Sequence, residues 1–216
     1  MSDKKVTYEG KDVEVQWDGR LCIHIGECGR AKGDLFVGGR QPWCQPDVTE
    51  AEDVVDVCLR CPTGALTYSR HDGGEGETPA AKNTIMVANN GPLYVQGELN
   101  IDGAADDMPG VQFRAALCRC GLSKNKPFCD NSHEEGGFID RGAVGEKGDG
   151  NGGATGPLTF KRIPNGPLLV NGPVEIMAAS GRVAWSGWKT ALCRCGASKN
   201  KPFCDGAHRD INFEAE

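Results

Sequence analysis

The sequence predicts an α+β protein in which a small N-terminal domain of strands and one helix precedes two β-rich repeats. Three observations carry this reading. Residues 117–130 read LCRCGLSKNKPFCD and residues 192–205 read LCRCGASKNKPFCD, differing only at Leu122 against Ala197. Glycine fills 31 of 216 positions, roughly twice the usual ~7%, so tight turns and short strands should dominate. One segment, from about Val48 to Leu59, has the spacing of apolar residues that a helix needs.

The elements follow in order. Val13-Glu14-Val15-Gln16-Trp17 alternates as a half-buried strand does. Asp47, with Glu50 three residues later, suits the N-cap of the helix, and Ala51, Val54, Val55 and Cys58 share its apolar face. Pro62 ends it, and Ala65–Tyr68 suits a closing strand. Residues 71–82 (HDGGEGETPAAK) read as a spacer. The repeat then begins: Thr84–Val87, Leu93–Val95 and Leu168–Val170 suit strands, and Asn-Gly at 90–91 and 165–166 supplies turns. The repeat offset of 75 residues also relates Gly91-Pro92-Leu93 to Gly166-Pro167-Leu168. Pro127 and Pro202 fix φ just before the third cysteine of each repeat. Residues 142–156 form a Gly-rich second spacer without the Lys-Ser/Thr ending of a phosphate loop. The expected domains are therefore 1–72, 83–141 and 157–216.

Composition narrows the chemistry. No run approaches the ~20 apolar residues of a membrane span, and residues 1–20 lack the apolar core of a secretory signal. A soluble, cytoplasmic protein is expected. A net charge of −6 gives nucleic acid no general reason to bind. Eleven cysteines is an odd number, and two Cys-x-Cys pairs are awkward for disulfides, whose geometry across one residue is strained. Thiols close to histidine in a reducing compartment point to metal instead.

Each repeat offers three thiols and one imidazole: Cys118, Cys120, Cys129 and His133, then Cys193, Cys195, Cys204 and His208. Cys3His is an ordinary structural zinc set, so zinc is the rival to an iron–sulfur cluster. Zinc sites usually pair cysteines two to four residues apart. Here Cys-x-Cys is followed by eight residues, a spacing that suits two metal centres served by one donor pair each.

These residues resemble the CDGSH iron–sulfur domain of the mitoNEET-like family. The resemblance rests on Cys118-Arg119-Cys120, Ser123, Pro127, Cys129-Asp130 and His133, and on Cys193-Arg194-Cys195, Ser198, Pro202, Cys204-Asp205-Gly206-Ala207-His208. The family's Asp-Gly-Ser-His appears as Asp-Asn-Ser-His at 130–133 and as Asp-Gly-Ala-His at 205–208. Asn131 takes the place of a glycine, and Asn tolerates positive φ better than most residues. The resemblance implies that Cys118 and Cys120 hold one iron of a [2Fe–2S] cluster while Cys129 and His133 hold the other, with Cys193, Cys195, Cys204 and His208 repeating the scheme. It further implies that the two motifs build a pseudo-twofold unit inside one chain, an internal pseudo-dimer in a monomer. A neutral imidazole ligand raises a cluster's potential and can take a proton, so the clusters are expected to loosen as pH falls towards the histidine range. Arg119, Arg194, Lys124, Lys126, Lys199 and Lys201 read equally as charges that tune the clusters or as solvated loop charges.

The N-terminal site differs. Cys22, Cys28 and Cys61 stand where bacterial ferredoxins carry ligands, with Ile25 in the middle position. Three ligands suit a [3Fe–4S] cluster, or a [4Fe–4S] cluster with a fourth ligand from elsewhere, for which Cys44 or Cys58 is available. Both also read as ordinary buried thiols. His24 and His71 read as structural or solvated. Cys22-Ile-His-Ile-Gly-Glu-Cys28, Pro42-Trp43 and Cys61-Pro-Thr-Gly-Ala-Leu66 resemble a divergent single-cluster ferredoxin-like domain.

The functional expectation is electron transfer or redox sensing, with two [2Fe–2S] clusters, one [3Fe–4S] or [4Fe–4S] cluster and a redox partner protein. The alternative is a carrier that donates [2Fe–2S] units to apo-proteins; a zinc-stabilised interaction module is the third reading. No nucleotide fingerprint, Ser/His/Asp arrangement or open metal site is found, so no enzymatic activity is expected.

Overall fold

The computed structural model describes residues 4–150 and 153–216. Asn151 and Gly152, inside the expected 142–156 spacer, lie outside the described residues. The fold is mostly β. In the N-terminal part, β1 (Lys5–Tyr8), β2 (Val13–Asp18) and β3 (Leu66–Arg70) form an antiparallel sheet in the order β1-β2-β3. Val13 and Val15 bury one face of β2, as their alternation requires. The helix α1 (Ala51–Arg60) packs against β2 and β3 through Val54, Val57 and Cys58.

Two details of α1 differ from expectation. Asp47 does not cap it: its carboxylate accepts from the Lys11 amide at 2.7 Å, and Pro46–Val48 forms a separate 3-10 turn. The helix therefore begins at Ala51, and the buried face takes in Val57 while Val55 is only half-buried. Pro62 ends the helix as expected, with Cys61 already extended.

In the repeats, β4 (Thr84–Val87) and β5 (Leu93–Gln96) form a hairpin around Asn90-Gly91, and Asn90 takes the left-handed φ of 50° that its turn demands. β6 (Leu99–Ile101) follows, and β7 (Arg114–Leu117) runs beside β5 into the first cysteine loop. A single helical turn, α2 (Ser132–Glu135), carries His133. The second repeat supplies β8 (Leu158–Arg162), β9 (Leu168–Met177) and β10 (Val183–Leu192). Among the described residues these seven strands form one sheet, in the order β6-β8-β9-β4-β5-β7, with β10 on the other edge of β9.

The repeats exchange strands. Asn100 of β6 pairs in parallel with Thr159 of β8, and Glu175 of β9 pairs in parallel with Thr84 of β4. These pairings map onto each other under the 75-residue repeat offset, so neither repeat completes its sheet alone. Ile85, Leu93, Leu117, Leu158, Phe160, Ile176 and Leu192 fill the shared core, at about 1.5–3 kcal/mol for each fully buried side chain.

One side chain ties the two sheets together. Arg114 of β7 is buried, forms a two-bonded pair with Glu77 at 2.7 Å through both carboxylate oxygens, and donates to the carbonyls of Cys58, Cys61 and Leu66. Beside it, Gly64 and Gly110 touch backbone to backbone, where an added Cβ on Gly110 would lie 2.2 Å from the Gly64 carbonyl oxygen. Among the described residues no helix is long and apolar enough to cross a membrane.

Candidate metal centres

The cysteine loops are built by backbone hydrogen bonds that return the chain to the strand it left. The Cys118 amide donates to the Pro127 carbonyl at 2.8 Å, and the Cys129 amide donates to Ala116 at 2.8 Å. Ser123 Oγ, inside the loop, donates to the Phe128 carbonyl at 2.7 Å, and Asp130 accepts from the Lys124 amide. Cys193, Cys204, Ser198 and Asp205 repeat every one of these bonds. The turn before the first histidine needs a left-handed residue, and Asn131 supplies it at φ 72° where Gly206 stands at φ 91° in the second repeat.

The donors meet in pairs. Cys118 Sγ and Cys120 Sγ are 3.7 Å apart, and Cys129 Sγ and His133 Nδ1 are 3.5 Å apart. In the second repeat the separations are 3.8 Å for Cys193 and Cys195, and 3.5 Å for Cys204 and His208. Two thiolates on one tetrahedral ion at about 2.3 Å stand about 3.8 Å apart, and a thiolate with an imidazole nitrogen at about 2.05 Å stands about 3.6 Å apart. Each pair therefore fits one tetrahedral ion. Among the described residues no three His, Cys, Asp or Glu side chains converge as one shared ion would require. The close contacts group the donors two and two, which fits a binuclear cluster.

The surroundings favour thiolate once metal arrives. The Leu122 and Asn131 amides each point at a candidate ligand sulfur, Cys120 and Cys129, at 3.4 Å. Burial keeps the metal-free thiols protonated, pushing Cys129 up to about 12 and Cys193 up to about 11. The contact between Cys118 and Cys120 raises the first thiol and holds the second down at about 7. Burial also lowers the His133 pKa and keeps its imidazole neutral, the form that can bind metal.

Arg119 and Arg194 are not solvated charges. Both are 1% exposed. Arg119 donates to the Gly91 carbonyl at 2.7 Å and to Asp140 at 2.6 Å, clamping the Asn-Gly turn, and Arg194 donates to Gly166 at 3.0 Å. Each guanidinium also lies over an aromatic ring, Arg119 over Phe138 at 5.0 Å and Arg194 over Phe213 at 5.6 Å. Lys201 and Lys126 reach the same two rings from the opposite repeat, each at 5.9 Å. The loops also touch directly: a Cβ on Gly121 would lie 2.5 Å from the Cys195 oxygen, and one on Gly196 would lie 2.2 Å from the Cys120 oxygen. Lys124 and Lys199 do point into solvent.

The two centres differ in cover. Cys120, Cys129 and His133 are buried at 9%, 3% and 8% exposure, whereas Cys195, Cys204 and His208 are half-buried. The N-terminal part makes the difference. Ile23 packs with Ala116, Cys129 and Tyr94, and Asn125 of the first loop donates to the Arg20 carbonyl at 2.7 Å. Tyr94 stands within electrostatic reach of both Cys129 and Cys61, and burial pushes its phenol up to about 12. The matching position in the second repeat is Leu169. Sequence reasoning overlooked Ile23 and Tyr94; the Tyr/Leu difference between the repeats was the signal available.

Cys22, Cys28 and Cys61 line one cavity of about 590 Å³ in the N-terminal part, with Trp17 and Trp43 on its walls. Cys28 sits in the 3-10 turn Glu27–Arg30, and Cys61 directly follows α1. Cys44 and Cys58 do not line this cavity; they are 1% and 0% exposed in the core. Burial pushes the Cys44 thiol up to about 12 and the Cys58 thiol higher still. His71 is exposed, with its amide donating to Asp12. His24 is exposed, as the solvated reading expects, and lines the same cavity with Nδ1 4.0 Å from Cys22 Sγ.

Paired soft donors at two repeated centres and three thiols around a third cavity define an iron–sulfur cluster protein. Comparison with known proteins agrees. Residues 90–134 and 165–209 match the family described as iron-binding zinc finger CDGSH type, and residues 8–71 match the divergent 4Fe-4S mono-cluster family. The chain belongs to these families, with tandem CDGSH domains behind a divergent 4Fe-4S mono-cluster domain. It is 42% identical over 64 residues, 30% of this chain and 83% of the relative, to the uncharacterized protein YjdI of Escherichia coli strain K12. The YjdI protein of Escherichia coli O157:H7 matches to the same extent. No solved structure matches the chain.

Proposed function

We propose that this chain is an electron-transfer or redox-sensing protein that holds two 3Cys–1His [2Fe–2S] clusters and one [3Fe–4S] or [4Fe–4S] cluster. The observation that carries the reading is the pairing of donors at 3.7 and 3.5 Å in one repeat and 3.8 and 3.5 Å in the other. Cys118 with Cys120, Cys129 with His133, Cys193 with Cys195, and Cys204 with His208 would each hold one iron; Cys22, Cys28 and Cys61 would hold the third cluster. When bound, the clusters supply one-electron chemistry. The chain's own part is to hold them rigidly: buried Arg119 and Arg194 brace the loops, and backbone amides face the ligand sulfurs. The reciprocal strand pairing and the crossed Lys–Phe contacts support a pseudo-twofold unit made within one chain. The reading assigns no catalysis and names a redox protein as the partner.

Iron and sulfide analysis of anaerobically purified protein tests it. About seven or eight irons per chain, with matching sulfide, agree with three clusters, and about four mean an empty N-terminal site. Zinc without sulfide refutes the reading. A second reading, a carrier of [2Fe–2S] units, is favoured by the half-buried ligands Cys195, Cys204 and His208. Incubation with an apo-ferredoxin separates the two, because a carrier gives up its clusters and an electron carrier keeps them.

A further inference from the structure

We infer that the open sheet face beside the second centre, around Lys161, Leu169, Lys189 and Ala191, is the docking surface for a separate protein, an acidic single-cluster ferredoxin. The inference rests on the redox reading above and names the class of partner and the face it uses.

The repeat shows what such a face accepts. Across three adjacent strands of the first repeat, Met86 pairs with Tyr94 and Tyr94 with Ala116; two residues along, Thr84 pairs with Gln96 and Gln96 with Arg114. Under the 75-residue repeat offset these become Lys161, Leu169 and Ala191, then Thr159, Asn171 and Lys189, and the same pairings recur. The N-terminal domain is docked on the first face. Ile23, next to the candidate ligand Cys22, packs with Ala116, Tyr94 and Cys129. Arg114 donates to the Cys58 and Cys61 carbonyls at the end of α1, where the helix dipole gathers negative charge. A ferredoxin-like unit thus sits with its three-cysteine end against the first centre.

The second face is left open. Leu169, Ala191, Cys204 and His208 are half-buried, and Lys161 and Lys189 are exposed. The Asn125 contact with Arg20 has an internal substitute, Asn200 donating to Glu146 at 2.5 Å. Charge selects the partner. The cation of the first face, Arg114, is neutralised by Glu77. The second face carries Lys161 and Lys189 with no carboxylate among its matching positions, and nearby Asp102 is taken by Arg162 at 3.3 Å. The occupant must therefore bring the negative charge, and complementary charge speeds and orients such encounters. A second copy of this chain does not fit, because its own N-terminal domain is already docked, with Ile23 only 5% exposed.

The test titrates the full-length protein, purified without oxygen, with an acidic bacterial ferredoxin that holds one [4Fe–4S] cluster, by calorimetry at low and high salt. The parent should bind it, and more weakly at high salt. Lys161→Glu with Lys189→Glu should weaken binding about tenfold or more, whereas Lys11→Glu on the N-terminal domain should leave it unchanged. Iron content and melting temperature of the variants should match the parent, which separates a lost surface from a lost fold. Should the reversed pair lose iron, Lys161→Gln with Lys189→Gln takes its place and should weaken binding about threefold. An iron-loaded parent that binds nothing, or lysine variants that bind as the parent does, overturns the inference and leaves the cluster reading standing. Self-association of the parent that the lysine variants abolish also overturns it, in favour of a second copy. A parent with zinc and no sulfide refutes the cluster reading itself, and the inference falls with it.

Discussion

Replacing Arg114 with methionine should uncouple the N-terminal sheet from the repeats, and the structure sets the size of the effect. The Arg114 and Glu77 side chains are 4% and 7% exposed. The substitution leaves the Glu77 carboxylate buried without its partner and strips a donor from the carbonyls of Cys58, Cys61 and Leu66. Breaking a buried pair from one side costs about 3–5 kcal/mol. At about 2–4 °C per kcal/mol for a chain of this size, the melting temperature should fall by about 6–20 °C. Cys61 also loses a fixed carbonyl beside a candidate ligand, so iron should be lost from the N-terminal site before the repeats. Trp17 and Trp43 line that cavity and report its unfolding by fluorescence. Adding Glu77→Leu removes the orphaned charge and should recover much of the loss, because the members of one pair are strongly non-additive. A single substitution costing under about 1 kcal/mol, or two costs that simply add, would refute the argument that a desolvated pair clamps the sheets.

Further outcomes follow from the same geometry. Gly196→Ala places a Cβ 2.2 Å from the Cys120 oxygen at φ 80° and should loosen both cluster loops, whereas Gly206→Ala meets nothing within 4 Å and should cost only the backbone strain of its φ of 91°, about 1–2 kcal/mol; iron retention in the two variants checks the contrast. Alkylation of the metal-free chain, read by mass spectrometry, should label Cys204 faster than Cys129, and Tyr94→Leu with Ile23→Ala should narrow the gap. Cys44 gives an alkaline signature. Burial pushes its thiol up to about 12, and a raised thiol pKa stabilises the fold fully below the unfolded value of about 8.5 and loses that contribution as pH climbs through the folded value. Chemical denaturation from about pH 8.5 to 12 should therefore show Cys44→Ala losing less stability than the parent; parallel curves would exclude a buried thiol at that position.

Local chemistry was legible along the chain. The duplicated loop offered its candidate donors, because side chains held within sixteen residues depend on turns that the same sequence encodes. The Asn-Gly turns and the strand at Thr84–Val87 likewise depend on neighbours in sequence. The start of α1 was misjudged because Asp47 spends its carboxylate on the Lys11 amide, 36 residues away. The short β6 was hidden for a similar reason, since it finds a partner only in the other repeat.

By itself, then, the sequence determined which side chains can grip metal and how each loop is bent around them. The tertiary structure alone decided that Arg119 and Arg194 are buried braces, and that the first centre is covered and the second half-open. The physical reason is range. Ligand spacing and turn chemistry act over a few residues, whereas burial arises where distant segments exclude water together, and two near-identical motifs become unequal once Ile23 and Tyr94 close over one of them.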